Sequence, residues 1–221
     1  SDRLYVLKNP SFEAASDRIP GWICEQAPQI SIGPTNAEHF DGKQSLRIFS
    51  DSQKPAWVRS DPFPPPATGR IAVMVRLKTR DPLKQPPLRL AIEGRRRDGS
   101  SYYRVFNVTQ NPRDQLLSDN WGEKPIVMPI GDLPSQELVD IRVCFDLMGP
   151  GEVWIDDVQV YDRWFPKNER DELMITSGLA ARMLSMGQIG DCQRVLAGYW
   201  PRFLQEHVDL SETRMAALPA N

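Results

Sequence analysis

Short alternating runs of apolar and polar residues fill the chain from Leu4 to Tyr161. In "RIAVMVRLKT", Ile71, Val73, Val75 and Leu77 fall on one face. Leu88, Leu90 and Ile92 do the same in "LRLAIEG", as do Ile141, Val143, Phe145 and Leu147 in "VDIRVCFDLMG". Strict alternation buries one face and wets the other, as in antiparallel sheets. Asp98-Gly99 marks a hairpin within "RRRDGSSYY", and "PFPPPATG" and "PLKQPP" are stiff connectors. Many strands with no helix between them predict a mainly β chain, an antiparallel β-sandwich of the jelly-roll kind.

After Trp164 the period changes. Asn168 is placed to cap a helix, with Asp171 in its first turn and Leu173, Leu179, Ala180, Met183 and Leu184 on its apolar side. Gly187 and Gly190 break that helix. A second begins near Asp191, where Val195/Leu196, Tyr199/Trp200 and Phe203/Leu204 recur every four residues. Pro201 within this run kinks it or restarts it. The expected organisation is a sandwich over 1–164, a helical hairpin over 165–210 and a tail or linker over 211–221.

"WIDDVQVY", Trp154 to Tyr161, is a strand with two acids at its centre, Asp156 and Asp157. Asp is depleted from strands, and a buried carboxylate needs hydrogen bonds, an ion partner or a metal. A glycosidase pair is disfavoured by geometry, because adjacent strand residues point to opposite faces and could not flank one bond without a bulge. Calcium suits the pair better, since it accepts hard oxygen ligands from carboxylates and backbone carbonyls alike. Glu13, just after the first strand, is the second acid such a site needs.

The 20 prolines among 221 residues also argue against a helical bundle. A net charge of −2 gives no positive field for nucleic acid. No stretch approaches the ~20 apolar residues of a membrane span. The start "SDRLYVLKNP" lacks the apolar core of a signal peptide, so the chain reads as cytosolic or as an excised piece. Cys24, Cys144 and Cys192 fit no zinc spacing and read as buried thiols. With two histidines, no Gly-x-Ser-x-Gly elbow, no phosphate loop and no His-Glu-x-x-His, the chain shows no catalytic constellation.

Four segments in order, "NPSFE" (Asn9–Glu13), "PGW" (Pro20–Trp22), "DGKQSLRI" (Asp41–Ile48) and "WIDDVQV" (Trp154–Val160), resemble carbohydrate-binding modules of families four, nine and twenty-two, within the galactose-binding-domain-like jelly rolls. "NW" (Asn120, Trp121) before a late strand adds to the likeness, which spans Leu4 to Tyr161. The resemblance implies a structural calcium held by Ser11 or Glu13, the Lys43 carbonyl and Asp156. It also implies a sugar on a wet sheet face, here expected to carry Arg76, Lys78, Arg89, Glu93, Arg142 and Asp146, with Trp57 or Tyr103 supplying a ring. Trp22, Trp121 and Trp154 are expected in the core, and Arg95 to Arg97 at a solvated hairpin tip.

Two functions compete, and a third, an independent hydrolase, survives only through residues that form no group. In the first, the chain is a non-catalytic carbohydrate-binding module of a larger protein, secreted or on the cell-envelope exterior, whose partner is a polysaccharide or oligosaccharide. Arginine on the wet face would favour acidic or sulfated glycans. In the second it is an interaction module that docks a neighbouring domain of the same polypeptide, because the Tyr199, Trp200 and Phe203 stripe is a hazard if left uncovered.

Overall fold

The computed structural model describes residues 3–14, 18–109 and 116–208. The chain divides into two compact units, Ser1–Trp164 and Phe165–Asn221.

The first unit is a sandwich of two antiparallel sheets. One is five-stranded, in the order β2 (Trp22–Cys24), β5 (Ala56–Ser60), β10 (Leu138–Leu147), β7 (Leu88–Arg96) and β8 (Ser101–Asn107). The other runs β3 (Ile30–Thr35), β4 (Ser45–Ser50), β11 (Gly151–Tyr161), β6 (Ile71–Thr79) and β9 (Ile126–Ile130), with β1 (Arg3–Leu4) pairing β11 as its sixth strand. The alternation explains both sheets. Ile71, Val73, Val75 and Leu77 of β6 turn inward to meet Leu88, Leu90 and Ile92 of β7 and Ile141, Val143, Phe145 and Leu147 of β10 in one buried cluster. Truncating a fully buried ring such as Phe145 to alanine costs about 3–5 kcal/mol at such a site. The two proline-rich connectors have a clear task. Residues 61–70 carry the chain from β5 in one sheet to β6 in the other, and residues 80–87 carry it back to β7. The Asp98-Gly99 turn closes β7 onto β8, with Gly99 at φ +85°.

Two expectations about this unit are corrected. Alternation identifies the wet side of a strand but not which sheet the strand joins. Arg76 and Lys78 lie on β6, in the other sheet from Arg89, Glu93, Arg142 and Asp146, so the expected single face does not form. Of the three tryptophans, Trp22 joins the core and packs its ring 5.2 Å from Phe12. Trp154 is buried, but outside that cluster, with the Lys78 ammonium 5.6 Å from its ring; Trp121 is only half-buried. The arginine run lies at the solvated end of the hairpin, as expected, and also makes polar contacts there. Arg95 pairs with Asp140 at 2.6 Å, Arg96 pairs with Glu137, and Arg97 donates to the Gln136 carbonyl.

The second unit is helical: α1 (Lys167–Ser185), α2 (Ile189–Leu196) and α3 (Tyr199–His207). Pro166, in extended conformation, caps α1, so Asn168 lies inside the first turn and makes no side-chain cap. Gly187, at φ +71°, ends α1, whereas Gly190 is absorbed into α2. The expected second helix is two, because Pro201 sits in the first turn of α3, where its missing N–H costs little. Trp200 and Phe203 are buried and pack edge-on against Phe165, at 5.5 and 5.7 Å between ring centres. Leu196, expected in the same stripe, is half exposed. The expected tail over 211–221 lies outside the described residues.

Candidate functional site

The motif segments meet at a loop clamp built on β11. Asp156 is fully buried, and its carboxylate accepts three backbone donors. Phe40 and Asp41 N–H donate to Oδ2 at 2.8 and 3.0 Å, and Asp157 N–H donates to Oδ1 at 2.7 Å. The register of β11 against β6 shifts between Asp156 and Gln159, where Asp157 takes a positive φ of 47°. The two acids therefore sit at a bulge, and a bulge next to a loop is where a strand re-aims its side chains. Asp157 turns to its own strand and accepts Gln159 Nε2 at 2.6 and 2.7 Å. Burial pushes the Asp156 carboxyl above its ordinary pKa, an effect that the three N–H donors oppose.

Glu13 grips the same loop from the other side. Its Oε1 accepts Lys43 and Gln44 N–H at 2.8 and 2.9 Å. The turn that presents Glu13 is fixed by Asn9, at φ 50°, whose carbonyl accepts Phe12 N–H and Trp22 Nε1–H and whose Oδ1 accepts Ala14 N–H. Val158 N–H donates to the Pro10 carbonyl at 3.0 Å, tying this turn to β11. The four motif segments are thus one hydrogen-bonded junction. Among the described residues no three His, Cys, Asp or Glu side chains gather, so a cation here would draw on carbonyls as well as carboxylates. The available donors are hard oxygens throughout. Gln44 Oε1 is buried without a hydrogen-bond partner, and Ser11 is half-buried at the same turn. That donor set fits calcium.

The second arrangement is the outer face of the five-stranded sheet. Alternation places Trp57 and Arg59 of β5, Arg142, Cys144 and Asp146 of β10, Arg89 and Glu93 of β7 and Tyr103 of β8 on it. Arg59 lies at its centre. The guanidinium packs 4.5 Å from the Trp57 ring centre, donates to Glu93 at 2.7 Å and approaches Asp146 Oδ1 at 3.5 Å. Tyr103 reaches diagonally across the face to donate its hydroxyl to Asp146 Oδ2 at 2.6 Å. Burial, then the bond to Asp146, drive the Tyr103 phenol far above its ordinary pKa, so it stays a donor. The Cys144 thiol, pushed up to about 12 chiefly by burial, is no nucleophile.

Three polar atoms at this centre, Asp146 Oδ1, Arg59 Nη1 and Arg89 Nε, are buried without a hydrogen-bond partner. Arg89 and Arg142 form no ion pair among the described residues. Arg59 and Asp146 escaped the expected ligand set. Arg59 stands two residues from Trp57 in "AWVRS", so the same alternation that exposed Trp57 marked it. At the centre of this face Glu93 and Asp146 neutralise Arg59.

No family model and no curated protein matches this sequence. Solved structures do. A family 22 carbohydrate-binding module joined to a glycoside hydrolase family 10 module, from a Clostridium thermocellum endo-1,4-β-D-xylanase complexed with xylohexaose, matches with a TM-score of 0.53 and 13% identity, over 71% of this chain and 28% of that one. The N-terminal tandem of family 22 modules from Paenibacillus barcinonensis matches with a TM-score of 0.50 and 15% identity, over 72% and 45%. The fold is that of a carbohydrate-binding module. It is an antiparallel jelly roll, and this chain spans less than half of each of those longer proteins.

Proposed function

We propose that the sandwich is a non-catalytic carbohydrate-binding module that holds a neutral oligosaccharide or polysaccharide on the outer face of the five-stranded sheet. The carrying observation is the set of unmet hydrogen-bonding atoms between Trp57 and Tyr103. Asp146 Oδ1 and Arg59 Nη1 stand 3.5 Å apart as an ion pair that makes no hydrogen bond, and Arg89 Nε is a donor with no acceptor. A sugar hydroxyl is donor and acceptor at once, and the C–H face of a pyranose packs on a flanking ring. Glu93 and Asp146 at the centre disfavour an anion, which points to uncharged glycans. The matching modules make xylan-type β-1,4-linked chains the first probe. Isothermal titration with xylohexaose and a neutral glycan array test the reading. Trp57→Ala and Asp146→Ala are expected to abolish binding while keeping the wild-type fold, and unchanged binding by both variants refutes it.

Calcium at the loop clamp, held by Ser11 or Glu13, the Lys43 carbonyl and Asp156, would lock the junction and act structurally, away from the sugar. A parent carbohydrate-active protein at the cell exterior is the setting this role requires. A second reading rests on the helical unit, where Met174, Ile175 and Leu184 are more than half exposed. A neighbouring domain of the same polypeptide that covers them would make the helices a docking element.

A further inference from the structure

We propose that the Phe40–Arg76–Trp121 cluster on the six-stranded sheet binds the carboxylate of a uronate sugar, at a site separate from the neutral-glycan face. Arg76 projects from β6 with its guanidinium 4.2 Å from the Phe40 ring centre, and it donates one Nη1–H to the Gly122 carbonyl. The Phe40 and Trp121 rings lie 6.3 Å apart, so both Arg76 and Trp121 border one ring. Each brings a buried donor that nothing in the protein satisfies, Arg76 Nε–H and Trp121 Nε1–H. Unmet buried donors are costly, and a pair of them with a fixed positive charge asks for an anionic acceptor with more than one oxygen.

The protein's own acids do not fill that role. Asp156 stands opposite Arg76 in the ladder, but backbone N–H groups occupy its carboxylate. Glu38 is taken by Lys78. Among the described residues Arg76 has no carboxylate partner. The choice of a sugar acid over a bare anion follows from the rings. Phe40 is 41% exposed beside the guanidinium, so its ring is open to pyranose C–H groups while the donors take the carboxylate. Arg76 and Trp121 share no residue with the five-stranded face, so this proposal and the preceding one fail independently.

The test is a nitrogen-15 titration of the full chain with sodium glucuronate, run against glucose and against sodium chloride at equal ionic strength. The Trp121 indole signal is identified by its loss in Trp121→Phe. This signal and the Arg76 Nε–H signal are expected to move saturably with glucuronate and to stay still with glucose or salt. Arg76→Gln is expected to weaken binding about tenfold, the loss of one hydrogen bond to a charged group. Should that variant fail to fold, Trp121→Phe keeps a ring, removes only the N–H, and is expected to weaken binding about fivefold as read on Arg76. If both signals stay still, or move equally with glucose, the proposal is overturned.

Discussion

Gly42 and Glu13 are fitted to each other: a Cβ at Gly42 would fall 2.4 Å from the Glu13 carboxyl carbon, and Gly42 holds φ at +65°. Both facts forbid a side chain there while Glu13 keeps Lys43 and Gln44 N–H. Gly42→Ala is therefore expected to destabilise the sandwich by about 1–3 kcal/mol, from left-handed backbone strain plus displacement of the carboxylate. Denaturant unfolding measures it, and a loss below a few tenths of a kcal/mol contradicts the fit.

Asp156→Ala should cost more than Asp157→Ala. The first leaves Phe40, Asp41 and Asp157 N–H without their acceptor in a buried setting, and each unsatisfied group costs about 1–3 kcal/mol. The second removes only a contact with Gln159. If calcium is held there, added metal raises the melting temperature, with about 2.7 kcal/mol of stabilisation at a hundredfold excess over its dissociation constant. Asp156→Ala should abolish that response and Asp157→Ala should keep it. Melting curves that EDTA leaves unmoved refute the cation.

Acid should erase the calcium effect in a defined direction. Burial raises the folded Asp156 pKa above the unfolded value. Without metal, the native state holds more protons than the unfolded chain between those two values, so the Asp156 contribution to stability rises as pH falls through the folded pKa. A cation needs the ionised form, so its stabilisation is lost over the same fall. Calcium-loaded and EDTA-treated melting temperatures should converge between pH 7 and about pH 4. A constant gap across that range argues against Asp156 as a ligand.

On the five-stranded face, Arg89→Ala with Arg142→Ala should weaken binding of xylohexaose without unfolding, because neither arginine is held in an ion pair among the described residues. Affinity should change little between low and high salt, since a neutral glycan leaves no exposed charge contact to screen. Steep salt dependence in calorimetry would instead restore the acidic-glycan reading of this face.

Cutting the chain after Trp164 should leave a cooperative, soluble sandwich. Every residue of the sandwich's core cluster lies at or before Val160, within the part that the cut keeps. A shortened protein that aggregates or melts without a transition shows that the helical unit covers something the sandwich needs.

Much of this was legible in the sequence because it depends on period and on short motifs. Alternation located the long strands, and "NPSFE", "DGKQSLRI" and "WIDDVQV" are the segments the junction ties together. The assignment of Arg76 to the sugar face failed for a physical reason. A period of two gives the wet side of β6, but sheet membership is decided by the connectors, which cross at residues 61–70 and 80–87. The Arg59–Glu93–Asp146 network was illegible for a related reason, since it joins three strands whose register no single strand encodes. The start of α1 shows a local preference overruled. Asn168 has the chemistry of a cap, yet Pro166 two residues earlier already holds the extended backbone that a helix entry uses.

The place of β11 within its sheet has a mechanical consequence. It is the last strand of the sandwich, yet it sits inside the sheet, flanked by β4 and β6 and joined near its end by β1. Tension arriving from the C-terminal side enters at Tyr161 and is shared by hydrogen bonds on both flanks, whereas an edge strand would peel one bond at a time. The tether point is thereby the best-braced strand of its sheet, so pulling the chain from its two ends should detach the two-residue β1 before it dislodges β11.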